Sequence, residues 1–240
     1  MSAAKLTVSI RLHVEAPLAP EAEVSLSAAQ AHYLGAVMRR GAGDRLRVFN
    51  GVDGEWLAGV ESLKRDRGML RVEAMLRPQQ AHADLWLAFA PLKRDATDLL
   101  VQKATELGVA MLLPVFTERT NAARVAESRL RAIAIEAAEQ SERLTVPRIA
   151  PAGTLHALLA DWPVDRRLVA AMERSDAPPI RPASGPCGLL IGPEGGFTPL
   201  ELDLLRRHPS VAPATLGSLI LRAETAAIVG LALLQAAARG

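Results

Sequence analysis

Arg222 and Glu224 stand two residues apart in the run Leu216-Gly217-Ser218-Leu219-Ile220-Leu221-Arg222-Ala223-Glu224-Thr225-Ala226, where a glycine-marked turn opens a helix. A cation at a helix N-terminus opposes the macrodipole. It is usually held there by an anion: Glu224 or Glu194 as a structural partner, or a phosphate or developing negative charge on a substrate. The residues weigh these about evenly. Glu224 is favourable at that terminus in any case and can alternatively act as a base, while Thr225 offers a hydrogen-bonding group. Upstream, Leu189-Leu190-Ile191-Gly192-Pro193-Glu194-Gly195-Gly196-Phe197 drops from an apolar run into a second glycine turn. Without a Cβ, backbone N–H groups can approach a ligand closely. One such turn most often only joins two elements. Two strand-loop-helix units in succession mark a pocket at the carboxyl ends of parallel strands. The chain has no G-x-G-x-x-G, no phosphate-binding P-loop and no G-x-S-x-G elbow, so the common nucleotide and hydrolase pockets are excluded.

The elements that must position these turns fall into two halves. Residues 1–78 read as all-β, with strands over Leu6–Val14, Arg45–Phe49, Glu55–Val60 and Gly68–Leu76 separated by turn chemistry such as Asn50-Gly51 and Asp53-Gly54. A helix capped by Ser27 runs from Ala28 to Met38. Closely spaced strands of this kind suggest a small barrel. Residues 79–83 form a polar linker. Residues 84–240 alternate strand and helix: Leu85–Ala90, Asp95–Leu107 ended by Gly108, Met111–Phe116, Glu127–Arg143, a short helix capped by Thr154, Leu168–Met172, Val211–Leu216 and Ala223–Ala238. In the second of these Leu99, Val101, Ala104 and Leu107 are the apolar positions. Thr198-Pro199-Leu200-Glu201 carries an N-cap, a proline at N1 and a capping-box glutamate. The alternation argues for a mostly parallel α/β sheet. Ala227, Gly230, Leu231, Leu234 and Ala238 form a small-residue face on the last helix, suited to core packing or to a symmetric dimer contact.

Composition bounds the class. Half of the 240 residues are hydrophobic but only 3% are aromatic, so the core rests on Leu, Val, Ile and Ala. The single Cys187 excludes an internal disulfide, and the five histidines lack metal-ligand spacing, so no metal site is expected. The N-terminus reads as a strand rather than a signal peptide, and Ala226–Leu234 is too short to span a bilayer, so a soluble cytoplasmic protein is expected. Net charge is only +2. Nucleic-acid binding would therefore depend on local clusters: Arg39, Arg40, Arg45 and Arg47 near His32 and Tyr33, then Lys93-Arg94, Lys103 and Arg119. Such charges are mostly solvated surface unless they share a face with the glycine turns.

The paired glycine turns, together with Gln102-Lys103-Ala104-Thr105-Glu106-Leu107-Gly108-Val109, Thr117-Glu118-Arg119, Ile135-Glu136-Ala137-Ala138-Glu139-Gln140 and His32-Tyr33-Leu34, resemble the RsmE family of ribosomal RNA methyltransferases over nearly the whole chain. The resemblance implies a SPOUT fold whose C-terminal α/β domain ties a deep trefoil knot, with an N-terminal PUA-like β-barrel for RNA. It implies a homodimer that methylates N3 of one uridine in the decoding region of 16S rRNA, within the 30S ribosomal subunit, using S-adenosyl-L-methionine. The cofactor residues it implies are Met172 and Glu173; Ile191, Gly192, Pro193, Glu194, Gly195 and Gly196; Leu216, Gly217, Ile220, Leu221 and Arg222; and Thr225 and Ala226. His32, Arg39, Lys93 and Arg119 would hold RNA, and Arg222 and Glu224 lie nearest the chemistry. The chain departs from its relatives at Leu219 and near Ala96, where many carry charge, which shifts RNA affinity toward the N-terminal domain. The same cofactor motifs would serve a SPOUT enzyme acting on another RNA, and a non-catalytic rRNA-binding assembly factor is the alternative from a different class.

Overall fold

The structure is a computed structural model that describes residues 10–80, 84–122, 124–173 and 176–236. It divides into two compact units, Met1–Ala81 with Ala138–Thr145, and His82–Ala137 with Val146–Gly240. The first boundary falls close to the break read in the sequence, although residues 81–83 of that linker lie outside the described residues. The return of Ala138–Thr145 to the first unit has no local sequence signal. Its cause is Arg11, whose buried guanidinium donates to the carbonyls of Ala138 at 2.6 Å, Glu139 at 2.9 Å and Arg143 at 2.6 Å. The first two are orphan acceptors in the last turn of a helix, where a cation is favourable.

The first unit contains β1 (Arg11–His13), β2 (Glu23–Leu26), α1 (Ala28–His32), a π-helical turn (Tyr33–Val37), β3 (Arg45–Phe49), β4 (Glu55–Leu63) and β5 (Gly68–Arg77). The sheet order is β1-β3-β4-β5-β2, with β1 parallel to β3 and the other pairs antiparallel. Its inner face is filled by Leu12, Leu34, Val48, Leu70 and Val72. Ser27 caps α1 through a capping box with Gln30. The helix expected to reach Met38 changes to π geometry at Tyr33, closed by the Met38 N–H on the Tyr33 carbonyl at 2.9 Å. Leu34 is thereby fully buried while Val37 stands exposed. Of the strand expected over Leu6–Val14, residues 6–9 lie outside the described residues. Strand β2 was not anticipated: it is four residues long, and only Val24 and Leu26 turn inward.

The second unit contains β6 (Leu85–Phe89), α2 (Arg94–Glu106), β7 (Met111–Phe116), α3 (Glu127–Gln140, whose residues from Ala138 on belong to the first unit), β8 (Arg148–Ile149), β9 (Gly153–Thr154), α4 (Leu155–Ala160), β10 (Arg167–Ala171), β11 (Cys187–Ile191), α5 (Pro199–Arg207), β12 (Val211–Ala214) and α6 (Ala223–Gln235). The strands run in the order β12-β10-β11-β6-β7-β8, all parallel, and β9 also pairs with β7. Because they are parallel, the carboxyl ends of the neighbouring strands β12, β10 and β11 emerge along one edge. Helix α2 ends at Gly108, whose φ of 84° suits the C′ position. It buries Leu100, Val101 and Ala104, whereas Leu99, one of the apolar positions noted in the sequence, is exposed, since its neighbour Leu100 takes the inward face. Among the described residues no helix is long and apolar enough to cross a membrane.

The small-residue face of α6 packs inside the chain. Ala227, Gly230, Leu231 and Leu234 are buried, and a Cβ on Gly230 would stand 2.7 Å from the Leu189 side chain of β11. That face is therefore spent on β11 rather than on a second copy; Ala238 lies outside the described residues. A tighter approach occurs within β11 itself, where a Cβ on Gly188 would meet the Trp162 ring at 2.5 Å. The ring cannot retreat, because its Nε1–H donates to the Arg166 carbonyl at 2.7 Å and its face meets Trp86 edge-on. Gly188→Ala is thus expected to cost about 1–3 kcal/mol by overpacking, read as a lowered urea midpoint with an unchanged slope.

Candidate functional site

Three loops meet at the carboxyl edge of β10, β11 and β12. After β10 come the buried Met172 and the exposed Glu173; after β11 comes Gly192 to Phe197; after β12, Thr215 to Leu221 leads into α6. Together they line a cleft of about 530 Å³, within the range of about 300–1,000 Å³ common for small-molecule sites. Of the residues singled out as cofactor-binding, Met172, Glu173, Ile191, Gly192, Pro193, Glu194, Gly195, Gly196, Leu216, Gly217, Ile220, Leu221, Arg222 and Ala226 line it. Ala171, Phe197, Leu202, Thr215, Leu219 and Ala223 line it as well. Most of these sit beside residues already named, but Leu202 is brought in from α5 by packing and carries no sequence signal.

The central loop is held by short-range chemistry. The Gly196 N–H donates to the Pro193 carbonyl at 2.8 Å, and Gly196 has a φ of 67°, a left-handed conformation that suits glycine. Phe197 folds back, buried, over Gly192, where a Cβ would stand 3.0 Å from the ring. Thr198 and Glu201 complete the capping box of α5, with Pro199 in the first turn. Among the described residues, the N–H groups of Glu194, Gly195, Leu219, Ile220 and Leu221 donate to no acceptor in the chain. A row of unspent donors on two facing loops fits a polar ligand with several acceptors, such as a nucleoside with a charged tail.

Arg222 is the N-cap of α6 and is exposed. Among the described residues its guanidinium has no hydrogen-bond or ion-pair partner, so neither Glu194 nor Glu224 holds it. Among the described residues no structural partner for this cation is present, which leaves its reading toward a ligand or substrate anion standing. Glu224 and Thr225, also singled out in the sequence, are not among the residues that line the cleft. Successive helical residues rotate by about 100°, so Ala223 and Ala226, three apart, share the inward face while Glu224 and Thr225 turn away. The carboxylates on the cleft wall are Glu173 and Glu194.

The RNA candidates have separate settings. His32 ends α1 and is exposed, and Arg39 is exposed in the left-handed region at φ 53°. Lys93 is the exposed N-cap of α2 and makes no capping bond with its side chain. Arg119 stands on the cleft wall instead, its Nη1 donating to the Gly195 carbonyl at 2.8 Å. Leu219, at the departure from the basic pattern, is 80% exposed.

Comparison with known proteins bears on this site. An RNA methyltransferase domain family matches residues 79–235, and an RNA methyltransferase PUA domain matches residues 26–72. Ribosomal RNA small subunit methyltransferase E of Rickettsia conorii is 35% identical over 92% of this chain and 93% of its own. The protein of the same name from Synechocystis is 31% identical over 98% of this chain and 80% of its own. A crystal structure of ribosomal RNA small subunit methyltransferase E from Neisseria gonorrhoeae, bound to S-adenosyl methionine, superposes with a TM-score of 0.85 at 28% identity, covering 95% of this chain and 97% of that one.

Proposed function

The chain belongs to the RsmE family of ribosomal RNA methyltransferases, and from that premise we propose that it transfers a methyl group from S-adenosyl-L-methionine to N3 of one uridine in the decoding region of 16S rRNA. The observation that carries the reading is the cleft itself: glycine-lined, rich in unspent N–H donors, and rimmed by an arginine with no partner in the described chain. S-adenosylmethionine, when bound, supplies an activated methyl on a sulfonium, so what remains for the protein is orientation, proton removal and charge stabilisation.

The residues divide that work. The loops Gly192–Gly196 and Leu216–Leu221, with Met172 and Glu173, would hold the cofactor, chiefly through backbone N–H groups and apolar contact. Arg222 stabilises the negative charge that gathers on the uracil carbonyls as N3 loses its proton. The proton passes to water at the open mouth, where Glu173 and Glu194 are exposed. The pairing edge of the base must be free, so the target uridine is unpaired or drawn from its stack. His32, Arg39 and Lys93 would contact the phosphate backbone, which positions RNA without reading its sequence.

The finer architecture belongs to the same reading. Residues 1–78 act as a PUA-like barrel and residues 84–240 as a SPOUT domain with a trefoil knot, a reading supported by the matches to the RNA methyltransferase and PUA domain families. The working form is a homodimer; Leu219 and Ile220, 80% and 57% exposed on the cleft rim, are apolar side chains that a second copy would cover.

The deciding experiment incubates the purified protein with labelled S-adenosylmethionine and 30S subunits from cells lacking the corresponding enzyme, and then maps the methyl group. One N3-methyluridine in the decoding region is expected. Transfer to a different RNA would move the substrate and keep the cofactor. Cofactor binding without transfer to any ribosomal or transfer RNA would overturn the catalytic reading.

A further inference from the structure

Glu201 is a carboxylate only 7% exposed whose two oxygens serve two different segments. Oε2 accepts the Thr198 N–H at 2.8 Å, which is the capping-box bond at the start of α5. Oε1 accepts the Glu118 N–H at 2.9 Å, from the turn that follows β7. Capping requires only the first of these bonds. The turn is itself closed by threonines: the Thr117 N–H donates to the Thr120 hydroxyl at 2.9 Å, and the Thr120 N–H to the Thr117 carbonyl at 3.1 Å. Arg119, directly after the tethered Glu118, reaches the Gly195 carbonyl at 2.8 Å, and its methylenes would lie 3.5 Å from a Cβ on Gly195. The turn after β7 is thus tied twice, to the first turn of α5 at a buried carboxylate and to the glycine loop at the cleft wall.

We infer that Glu201 and Arg119 are positioning residues, a two-point latch that sets the Gly195 peptide for the ligand of the cleft; the identity of that ligand rests on the function proposed above. The physical need is plain. Two adjacent glycines give this loop more conformers than any other pair would, and each must be lost when a ligand binds. Arg119 fixes the Gly195 carbonyl, and the same peptide's N–H, that of Gly196, is already bonded to Pro193. With that plane pinned from both sides, the free N–H groups of Glu194 and Gly195 keep one orientation before any ligand arrives. Glu201 acts one step back: without its bond to the Glu118 N–H, the turn loses the anchor that presents Arg119. One Arg119 donor is thereby used within the protein instead of on an RNA phosphate.

The test has two readouts on the full chain. In titration calorimetry, Arg119→Ala and Glu201→Ala should each weaken S-adenosylmethionine binding by about tenfold, the size of a lost charge-assisted hydrogen bond. The double variant should lose little more than either alone, because both break one latch. Thr198→Ala removes the hydroxyl cap but keeps the N–H that Glu201 accepts, so it should lower thermal stability and leave affinity within about twofold. In ligand-free hydrogen exchange, Arg119→Ala should speed exchange in peptides covering residues 192–197. Additive losses in the double variant, or unchanged exchange in Arg119→Ala, would overturn the latch. Should Glu201→Ala not fold, Arg119→Ala decides alone, since Arg119 is exposed. A parent chain that binds no S-adenosylmethionine would sink the proposed function, and the exchange measurement would still decide the latch.

Discussion

Arg222→Ala is expected to lower turnover by about 10²–10³-fold, the cost of removing one preorganised donor from a developing oxyanion. The same variant should bind S-adenosylmethionine within about threefold of the parent, because the cleft's polar donors are mostly backbone N–H groups that the substitution leaves in place. The separation is clean for a structural reason. Arg222 is exposed and, among the described residues, unpartnered, so its removal orphans no acceptor and opens no cavity. Taking a cation from the N-terminus of α6 should even raise stability, by about 0.3–1 kcal/mol. A protein that melts no lower, binds cofactor and has lost methyl transfer would place Arg222 at the reacting base. Arg222→Lys should recover only part of the rate, because an ammonium keeps the charge but not the planar fork that can meet a uracil carbonyl and a neighbouring oxygen together. Single-turnover rates at saturating cofactor, beside calorimetric Kd values, make the comparison. Unchanged turnover in Arg222→Ala would remove the residue from the mechanism.

What made this arginine readable in the sequence was a conflict, a cation where the helix dipole disfavours one, and such conflicts survive without coordinates. The glycine loops were readable from their setting: Gly-Pro-Glu-Gly-Gly falls between an apolar run and Thr-Pro-Leu-Glu, and the capping box at Thr198 formed as expected. Sequence reasoning does not resolve side-chain direction within one turn. Glu224 and Thr225 are adjacent to Arg222 in the chain, yet the helical rotation turns them from the cleft wall. It was silent where the cause is long-range. Nothing near Glu201 announces that its second oxygen ties down Glu118, eighty-three residues away. The return of Ala138–Thr145 to the first unit is likewise decided by an arginine near the other end of the chain. Local pattern carries caps, periodicity and turn chemistry. Which buried acceptor a distant donor will meet is a property of the packed chain.

That distant arginine sets the second large expectation: Arg11→Met should lower the stability of the first unit by roughly 3–5 kcal/mol, the usual cost of removing one partner from a buried ion pair. The side chains of Arg11 and Glu55 are each 2% exposed and meet at 2.5 Å, and Glu55 also receives Arg77 at 2.9 Å and Arg47 at 3.7 Å. Burial lowers the pKa of Arg11, opposed by its hydrogen bond and charge attraction to Glu55. The guanidinium also covers the Phe49 ring at 4.3 Å from its centroid. Loss of the side chain leaves Glu55 with its other two arginines, so electrostatics alone would forgive much of the change. The carbonyls of Ala138, Glu139 and Arg143 lose the guanidinium as a donor too, and each buried acceptor left unmet costs about 1–3 kcal/mol. The bonds donated to these backbone carbonyls should therefore add to the loss beside the ion pair. Arg11→Lys separates the two contributions: it keeps a positive charge near Glu55 but cannot reach three carbonyls and a carboxylate at once, so it should recover less than half of the stability. Urea midpoints give the totals, and hydrogen exchange in β3 and β4 against β6 and β11 should locate the weakening in the first unit. Full recovery by lysine would mean that charge, and not the fork of donors, holds Ala138–Thr145 in place.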